Sequence, residues 1–332
     1  MTVLGKRNVA EEMAPGVFRI EVPTPFHVGS VNLYVLIKAE EVTLVDVGPL
    51  TEEAWQTLNE GLASIGIGLE QISQIVLTHH HVDHVGQLER VRRASGARTL
   101  AHPQAAPYVQ MDEDFMVYHD QFFKELYQKS GVPEEKLIII AKFQKLMKTF
   151  SAPSQIDGLL KHEQVLPLFP EWQVLYTPGH SQSHLSLYRA KDRVLIGGDH
   201  IIKHISSNAF IEPPRDRSRN RPLTLVQYRT ALQMCADMEI DQVFSGHGER
   251  VTHHRELILS RLQKNWERTD TLRRLLASGE KTAYELTALL FPTLYEKELP
   301  LTISETIGHI DLLMILHQVE VEERDGVLHY HL

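Results

Sequence analysis

The chain has 332 residues, 42% of them hydrophobic, enough to bury a sizeable core in one large domain or two smaller ones. It carries 34 basic and 43 acidic side chains, and a net charge of −9 argues against non-specific attraction to nucleic acid over the whole surface. The single cysteine, Cys235, excludes an intrachain disulfide, while the mixed, charged stretch Met1 to Phe18 and the short aliphatic run Leu137 to Ala141 suggest no signal peptide and no membrane span, so a cytoplasmic protein is expected.

Val17 to Val47 reads as strands, with Val31-Asn32-Leu33-Tyr34-Val35-Leu36 and Thr43-Leu44-Val45 separated by a charged turn. Thr51-Glu52-Glu53 marks a helix start, and that helix is predicted to run to about Ile65. Ile72 to Thr78 follows as a strand, His84 to Ala94 as a helix and Arg98 to Ala101 as another strand. This alternation predicts an α/β layered domain. From about Pro107 to His162 the rhythm changes, as Phe115, Val117, Phe122, Phe123, Leu126, Tyr127, Phe143, Leu146 and Met147 recur at helical spacing around Gly131-Val132-Pro133. This is a helical insertion, whose apolar residues are expected to pack it onto the layered domain, with one or two reaching substrate. Beyond residue 250, helical patterns over His253 to Ala277, Thr282 to Phe291 and Ser304 to His317 precede an alternating segment around Asp325-Gly326, the mark of a β-hairpin. The chain therefore divides into 1–250 and a C-terminal helical, winged-helix-like module, 251–332.

Thr78-His79-His80-His81-Val82-Asp83-His84 is the most informative segment, because imidazole and carboxylate are ligands for zinc and similar cations. A helix would set His79 and His81 about 200° apart, whereas an extended loop points both the same way. Asp83 and His84 follow at a bend and can turn toward a second cation. Three later segments repeat one form, an apolar strand, a small-residue turn and then a ligand type: Leu175 to His180, Val194 to Asp199 and Val243 to His247. Strand ends in α/β folds carry functional loops. His80, His184, His200, His309 and His317 read as packing or hydrogen-bonding histidines.

With these residues the chain resembles the metallo-β-lactamase superfamily, and within it the glyoxalase II-like hydrolases. The resemblance implies a four-layer αββα sandwich with the metals at one edge. It implies that His79, His81 and His180 hold one metal, that Asp83, His84 and His247 hold the other, and that Asp199 bridges them. Val45-Asp46-Val47-Gly48 matches the motif whose Asp supports the ligand loop without binding metal, although a plain strand-end turn is the competing reading of Asp46. The common class of true β-lactamases has a Cys ligand near the Asp199 position, and Cys235, inside a predicted helix, argues against that branch. Two divalent cations are implied, with zinc as the default and iron or manganese suited to the same donors.

A hydrolase needing no Ser, Cys or Lys nucleophile follows, with Asp83 orienting the attacking hydroxide while it also binds metal. Arg215, Arg217, Arg219 and Arg221 follow Asp199, and guanidinium groups at a site mouth favour an anionic small molecule. Arg215, Arg217, His204 and Tyr228 are the candidate substrate contacts; a solvated connector is the alternative for the arginines, and packing or surface exposure for the other two. The leading expectation is a thioester, ester or lactone hydrolase. A ribonuclease or phosphodiesterase is the second, because such tails accompany β-lactamase-like hydrolases that include a mitochondrial endoribonuclease; the acid-rich Val319 to Arg324 weighs against it. A metal-stabilised protein-interaction module is the third, and the C-terminal module is also a candidate for homodimerisation.

Overall fold

The computed structural model describes residues 10–332, so half of the Met1–Phe18 stretch lies outside the described residues. The first sheet takes its strands in chain order: β1 (Ala10–Ala14), β2 (Val17–Val22), β3 (Val31–Lys38), β4 (Glu41–Val45), β5 (Ile72–Val76), β6 (Arg98–Ala101) and β7 (Gly158–Leu159). β1 to β4 are antiparallel, and β4 to β7 run parallel. The second sheet has the order β12-β11-β10-β9-β8, from β8 (Val165–Leu166), β9 (Phe169–Tyr176), β10 (Leu185–Arg189), β11 (Val194–Gly198) and β12 (Gln242–Ser245). A small third sheet joins β13 (Lys281–Thr282), β14 (Glu320–Arg324) and β15 (Val327–His331) in the order β13-β15-β14.

The helices are α1 (Glu52–Ser64), α2 (Val82–Val85), α3 (Leu88–Ser95), α4 (Ala106–Val109), α5 (Glu113–Lys129), α6 (Glu134–Lys148), α7 (Thr224–Asp237), α8 (His254–Leu276), α9 (Ala283–Leu290) and α10 (Leu299–Ile315). Local chemistry sets several of their ends. Thr51 caps α1 by accepting from the Ala54 amide at 3.1 Å, Asp112 caps α5, and Thr282 with Glu285 forms a capping box on α9.

Side-chain alternation in β3 shows why the two sheets face each other. Val31, Leu33 and Val35 point to α1 and α3, into a core with Leu58, Leu62, Leu88 and Val91. Tyr34 and Leu36 point the other way, into the inter-sheet core with Trp172, Val174, Ile196 and Phe244. On the far side of the second sheet, Leu175, Leu195 and Val243 pack against Leu225, Leu232 and Cys235 of α7 and Ile258 of α8. The expected αββα layering is therefore present, with a helical region after it. Among the described residues no helix is long and apolar enough to cross a membrane.

Three expectations change in detail. The predicted helix His84–Ala94 is two helices, α2 and α3, broken at Gly86-Gln87. The chain passes so close there that a Cβ on Gly86 would stand 2.2 Å from the Phe150 carbonyl oxygen. The predicted 304–317 helix begins earlier, at Leu299. The insertion is helical only to Lys148, and its last part adds β7 to the edge of the first sheet.

The insertion also packs elsewhere than expected. Tyr127, Val132 and Ile140, flanked by Phe122, Phe123, Leu126 and Leu137, share one core with Leu272, Leu286, Ile303, Ile307 and Ile310 of the C-terminal helices. Phe143, Leu146 and Val117 remain exposed. The C-terminal helices thus complete their core with side chains from the insertion.

Candidate metal centre

Every donor expected from the sequence lies in a segment that follows a strand, Asp83 and His84 in the short helix α2. β5 leads into the extended loop Thr78–His81 and then α2, β9 leads to His180, β11 to Asp199 and β12 to His247. The ends are stitched together by backbone bonds. Leu185 donates to the Thr78 carbonyl at 2.7 Å, Gly246 to Gly198 at 2.7 Å and Asn32 to Gly246 at 2.7 Å. A Cβ on Gly246 would stand 2.2 Å from Asp199 Oδ1, so glycine is required at that position.

His79 Nε2 and His180 Nε2 each lie 3.0 Å from His81 Nδ1. The tautomers follow from the outer partners. Thr78 Oγ1 donates to Asp46 Oδ2 at 2.7 Å and so accepts from His79 Nδ1 at 3.0 Å. His180 Nδ1 donates to the Asn208 carbonyl at 2.9 Å. The inner Nε2 atoms of both rings therefore carry lone pairs, and one proton on His81 cannot satisfy both. A shared cation satisfies all three.

The second cluster joins Asp83, His84 and His247. Asp83 Oδ2 is 3.3 Å from His247 Nε2 and 3.8 Å from His84 Nε2. His247 Nδ1 donates to the Ser30 carbonyl at 2.8 Å, and His84 Nδ1 lies 2.8 Å from Asp46 Oδ2. Asp199 faces both groups: its Oδ1 is 3.3 Å from His84 Nε2, and its Oδ2 is 3.4 Å from His247 Nε2 and 3.5 Å from His180 Nε2. His84 Nε2, His247 Nε2 and Asp199 Oδ1 are buried without a hydrogen-bond partner. Orphaned polar atoms are costly in an interior, and these converge on one another. The residues present fit divalent cations.

The two clusters differ electrostatically. Burial, reinforced by His84 and His81, holds the His79 imidazole well below its usual range, and burial with His180 pulls His81 down to about 3. In the second cluster burial also disfavours the charged imidazole, but Asp199 and Asp83 outweigh it and push His247 up to about 10. Burial raises Asp83, yet His84 and His247 draw it down to about 2. The first cluster thus offers neutral imidazoles, the second cationic ones paired with carboxylates, and a cation arriving at the second must displace protons.

Asp46 makes the supporting contacts that its motif implies. Its Oδ1 accepts from the Thr78 amide at 2.7 Å, and its Oδ2 serves both Thr78 Oγ1 and His84 Nδ1. The residue holds a φ of +60°, a strained conformation for a non-glycine residue. His184 accepts from the Asp199 amide at 3.0 Å through Nε2 and donates to Thr177 through Nδ1, so it holds the Asp199 backbone.

The candidate substrate contacts fare unevenly. Tyr228 is a correction, because its side chain is buried in the α7 layer and its hydroxyl donates to the His200 carbonyl at 3.0 Å. His204 is exposed and lies against Gly248, one residue past His247. Arg215 donates to the Pro103 carbonyl at 3.0 Å, and Arg217 donates to the Asp114 carbonyl at 3.1 Å and sits over the Tyr118 ring. Arg221 forms a two-point pair with Asp311 of α10. The arginine segment thus straps the insertion and α10 together.

Sequence reasoning missed Phe210, Tyr108 and Glu212. Phe210 stands edge-on to His81 and His180, with ring centroids 5.1 and 5.4 Å away. Tyr108 stacks on His80 at 3.7 Å, and Glu212 lies 3.9 Å from His80 Nε2. Burial pushes Glu212 up to about 7. Glu212 sits in a proline-flanked loop without periodicity, so no local signal marks it.

Comparison with known proteins agrees with this geometry. The family profile described as the metallo-beta-lactamase superfamily matches residues 27–247. A "Probable metallo-hydrolase YqjP" of Bacillus subtilis is 38% identical over 301 residues, 90% of this chain and 92% of that protein. A crystal structure of a metallo-beta-lactamase family protein from Thermus thermophilus superposes with a TM-score of 0.81 at 27% identity, covering 96% of this chain and 99% of that one. A hydroxyacylglutathione hydrolase of Ectopseudomonas mendocina is 27% identical over 128 residues, 39% of this chain and 32% of that protein. The chain belongs to the metallo-beta-lactamase superfamily.

Proposed function

We propose that this superfamily member is a binuclear metal-dependent hydrolase of the glyoxalase II-like kind, acting on a thioester, ester or lactone. The observation that carries the reading is the position of Asp199, whose two carboxylate oxygens face His84 on one side and His247 and His180 on the other. His79, His81 and His180 would hold one cation, Asp83, His84 and His247 the other, and Asp199 both. Zinc is the default, and iron or manganese suit the same donors. Divalent cations held there would supply Lewis acidity and make water acidic enough to furnish a nucleophile near neutral pH.

The chain's own groups do the rest. Asp83 and His81 are half-buried, unlike His79, His84 and His247, so the donor set opens to substrate on their side. A carboxylate oxygen of Asp83 accepts a hydrogen bond from the attacking water, orients it and can take its proton. Phe210 gives the opening an apolar wall beside His81 and His180, which suits an acyl group. The sequence likeness to a hydroxyacylglutathione hydrolase, by its name a hydrolase of an acyl derivative, supports the acyl class.

We divide the chain at about residue 250 and read the part beyond it as winged-helix-like. Its exposed strand β14 presents Glu320, Glu322 and Glu323, a composition that repels phosphate. A nuclease reading is therefore second.

The test is a substrate panel on metal-loaded protein with a metal-stripped control: thioesters, lactones, aryl esters, a phosphodiester and short single-stranded RNA. Turnover of acyl substrates that needs metal and is lost in Asp199→Ala supports the proposal. Cleavage of RNA or the phosphodiester alone replaces it with the nuclease reading.

A further inference from the structure

The loop that follows Asp199 is held from both sides. On the inner side, the Asn208 carbonyl accepts from His180 Nδ1 at 2.9 Å, and the Ser207 hydroxyl donates to the Asp199 carbonyl. Over Asn208 to Ile211 the outer anchors are Thr224 of α7 and groups of α10, beyond residue 250. The Asn208 side-chain amide donates to the Leu301 carbonyl of α10 at 2.8 Å. Ser304 of α10 accepts from the Ile211 amide at 2.8 Å and donates to the Ala209 carbonyl at 3.3 Å. Arg261 of α8, itself buried, reaches the carbonyls of Ile202 and Ile205. Burial pulls the Arg261 guanidinium down in pKa, and its Nη2 donates to this loop.

One short path therefore runs from the C-terminal helices to a donor atom: Leu301 carbonyl, Asn208 amide, Asn208 carbonyl, His180 Nδ1, His180 Nε2. The hydrogen bond on Nδ1 decides which ring nitrogen is free and how the ring is aimed. Three other imidazole donors have outer partners of different origin. His79 and His84 lean on Thr78 and Asp46, and His247 leans on the Ser30 carbonyl, all within the first 100 residues.

We infer that the C-terminal helices are a working part of the metal centre, with Asn208 as the positioning residue that couples α10 to His180. The inference rests on the metal-binding role proposed for His180. It assigns the segment beyond residue 250 a duty toward the first cation and none toward the second. The partition is specific: a change in α10 or Asn208 acts on the His79–His81–His180 cluster and leaves Asp83, His84 and His247 as they are.

The experiment is a titration of metal-free full-length protein with Zn²⁺ against a chromophoric chelator, with Co²⁺ ligand-field spectra as a second readout. Wild-type protein, Asn208→Ala and Ser304→Ala are compared. In Asn208→Ala one equivalent weakens by about 10–100-fold, the usual effect of losing an outer partner, while the other stays within about twofold. The Co²⁺ absorption of the weakened equivalent changes, and the melting temperature of the metal-free protein does not. Ser304→Ala shifts the same equivalent by less. Two unchanged equivalents in Asn208→Ala overturn the inference, as does a parallel weakening of both with a lower metal-free melting temperature, which marks general loss of packing. Wild-type protein that takes up no divalent cation removes the metal role of His180 itself, and the inference falls with it.

Discussion

Asp46 Oδ2 lies 2.8 Å from His84 Nδ1, and the same oxygen accepts the Thr78 hydroxyl at 2.7 Å. One carboxylate therefore orients a donor of the second cluster directly and His79 of the first through Thr78. Asp46→Ala is expected to weaken both metal equivalents, each by about 10–100-fold, since outer partners of this kind carry that much affinity. Chelator competition measures it, and an effect confined to one equivalent contradicts the relay through Thr78.

Gly246→Ala places a methyl carbon 2.2 Å from Asp199 Oδ1 and 3.0 Å from the His84 ring. The Asp199 carboxylate must swing away, so metal content and activity fall together. Far-ultraviolet circular dichroism should stay that of wild type, because the strands β11 and β12 end before the clash. A fully metal-loaded, active Gly246→Ala enzyme contradicts the placement of Asp199.

Arg221→Ala leaves the buried Asp311 carboxylate without its two-point partner. Removing one member of a largely buried pair costs about 3–5 kcal/mol, an upper range here because the Arg221 side chain keeps some exposure. The double variant Arg221→Ala, Asp311→Asn should recover part of that loss in urea unfolding. Equal stability of the single and double variants shows that the pair is not the strap between the arginine segment and α10.

Two raised groups contribute a falling component to the pH dependence of the metal-free protein. Burial lifts Glu212 to about 7, and Asp199 and Asp83, against burial, lift His247 to about 10. Each binds its proton more tightly in the folded protein, so both contribute stability that is lost as pH rises, Glu212 between about 4.5 and 7 and His247 between about 6.5 and 10. His79 and His81, whose imidazoles are held low, act in the opposite sense below about 6.5, so the fall is read in thermal melts as the difference between wild type and a variant lacking the raised group. Glu212→Gln should flatten the lower part, by up to about 3 kcal/mol for a shift of this size, and metal loading should flatten the upper part by replacing the protons. A Glu212→Gln protein with the wild-type profile below pH 7 refutes the assignment of the lower limb.

The donors were legible in the sequence because short-range geometry encodes them: an extended loop aims His79 and His81 together, and an apolar strand ending in glycine delivers Asp199 and His247 to one edge. The alternation of strands and helices and the Asp325-Gly326 hairpin were legible for the same reason, since each depends on residues a few positions apart. Local pattern ran out where contacts are long-range. Tyr228 follows Asp199 in the chain yet turns into the α7 layer, whereas Glu212 and Phe210 reach the site from a loop with no repeat. The packing of the insertion against the C-terminal helices was beyond sequence reading too, since a helical apolar stripe states only that a face is buried. Which surface covers that face is set by tertiary contacts between segments over 130 residues apart, such as Tyr127 with Leu272 and Ile307 in one core, and periodicity carries no information about them.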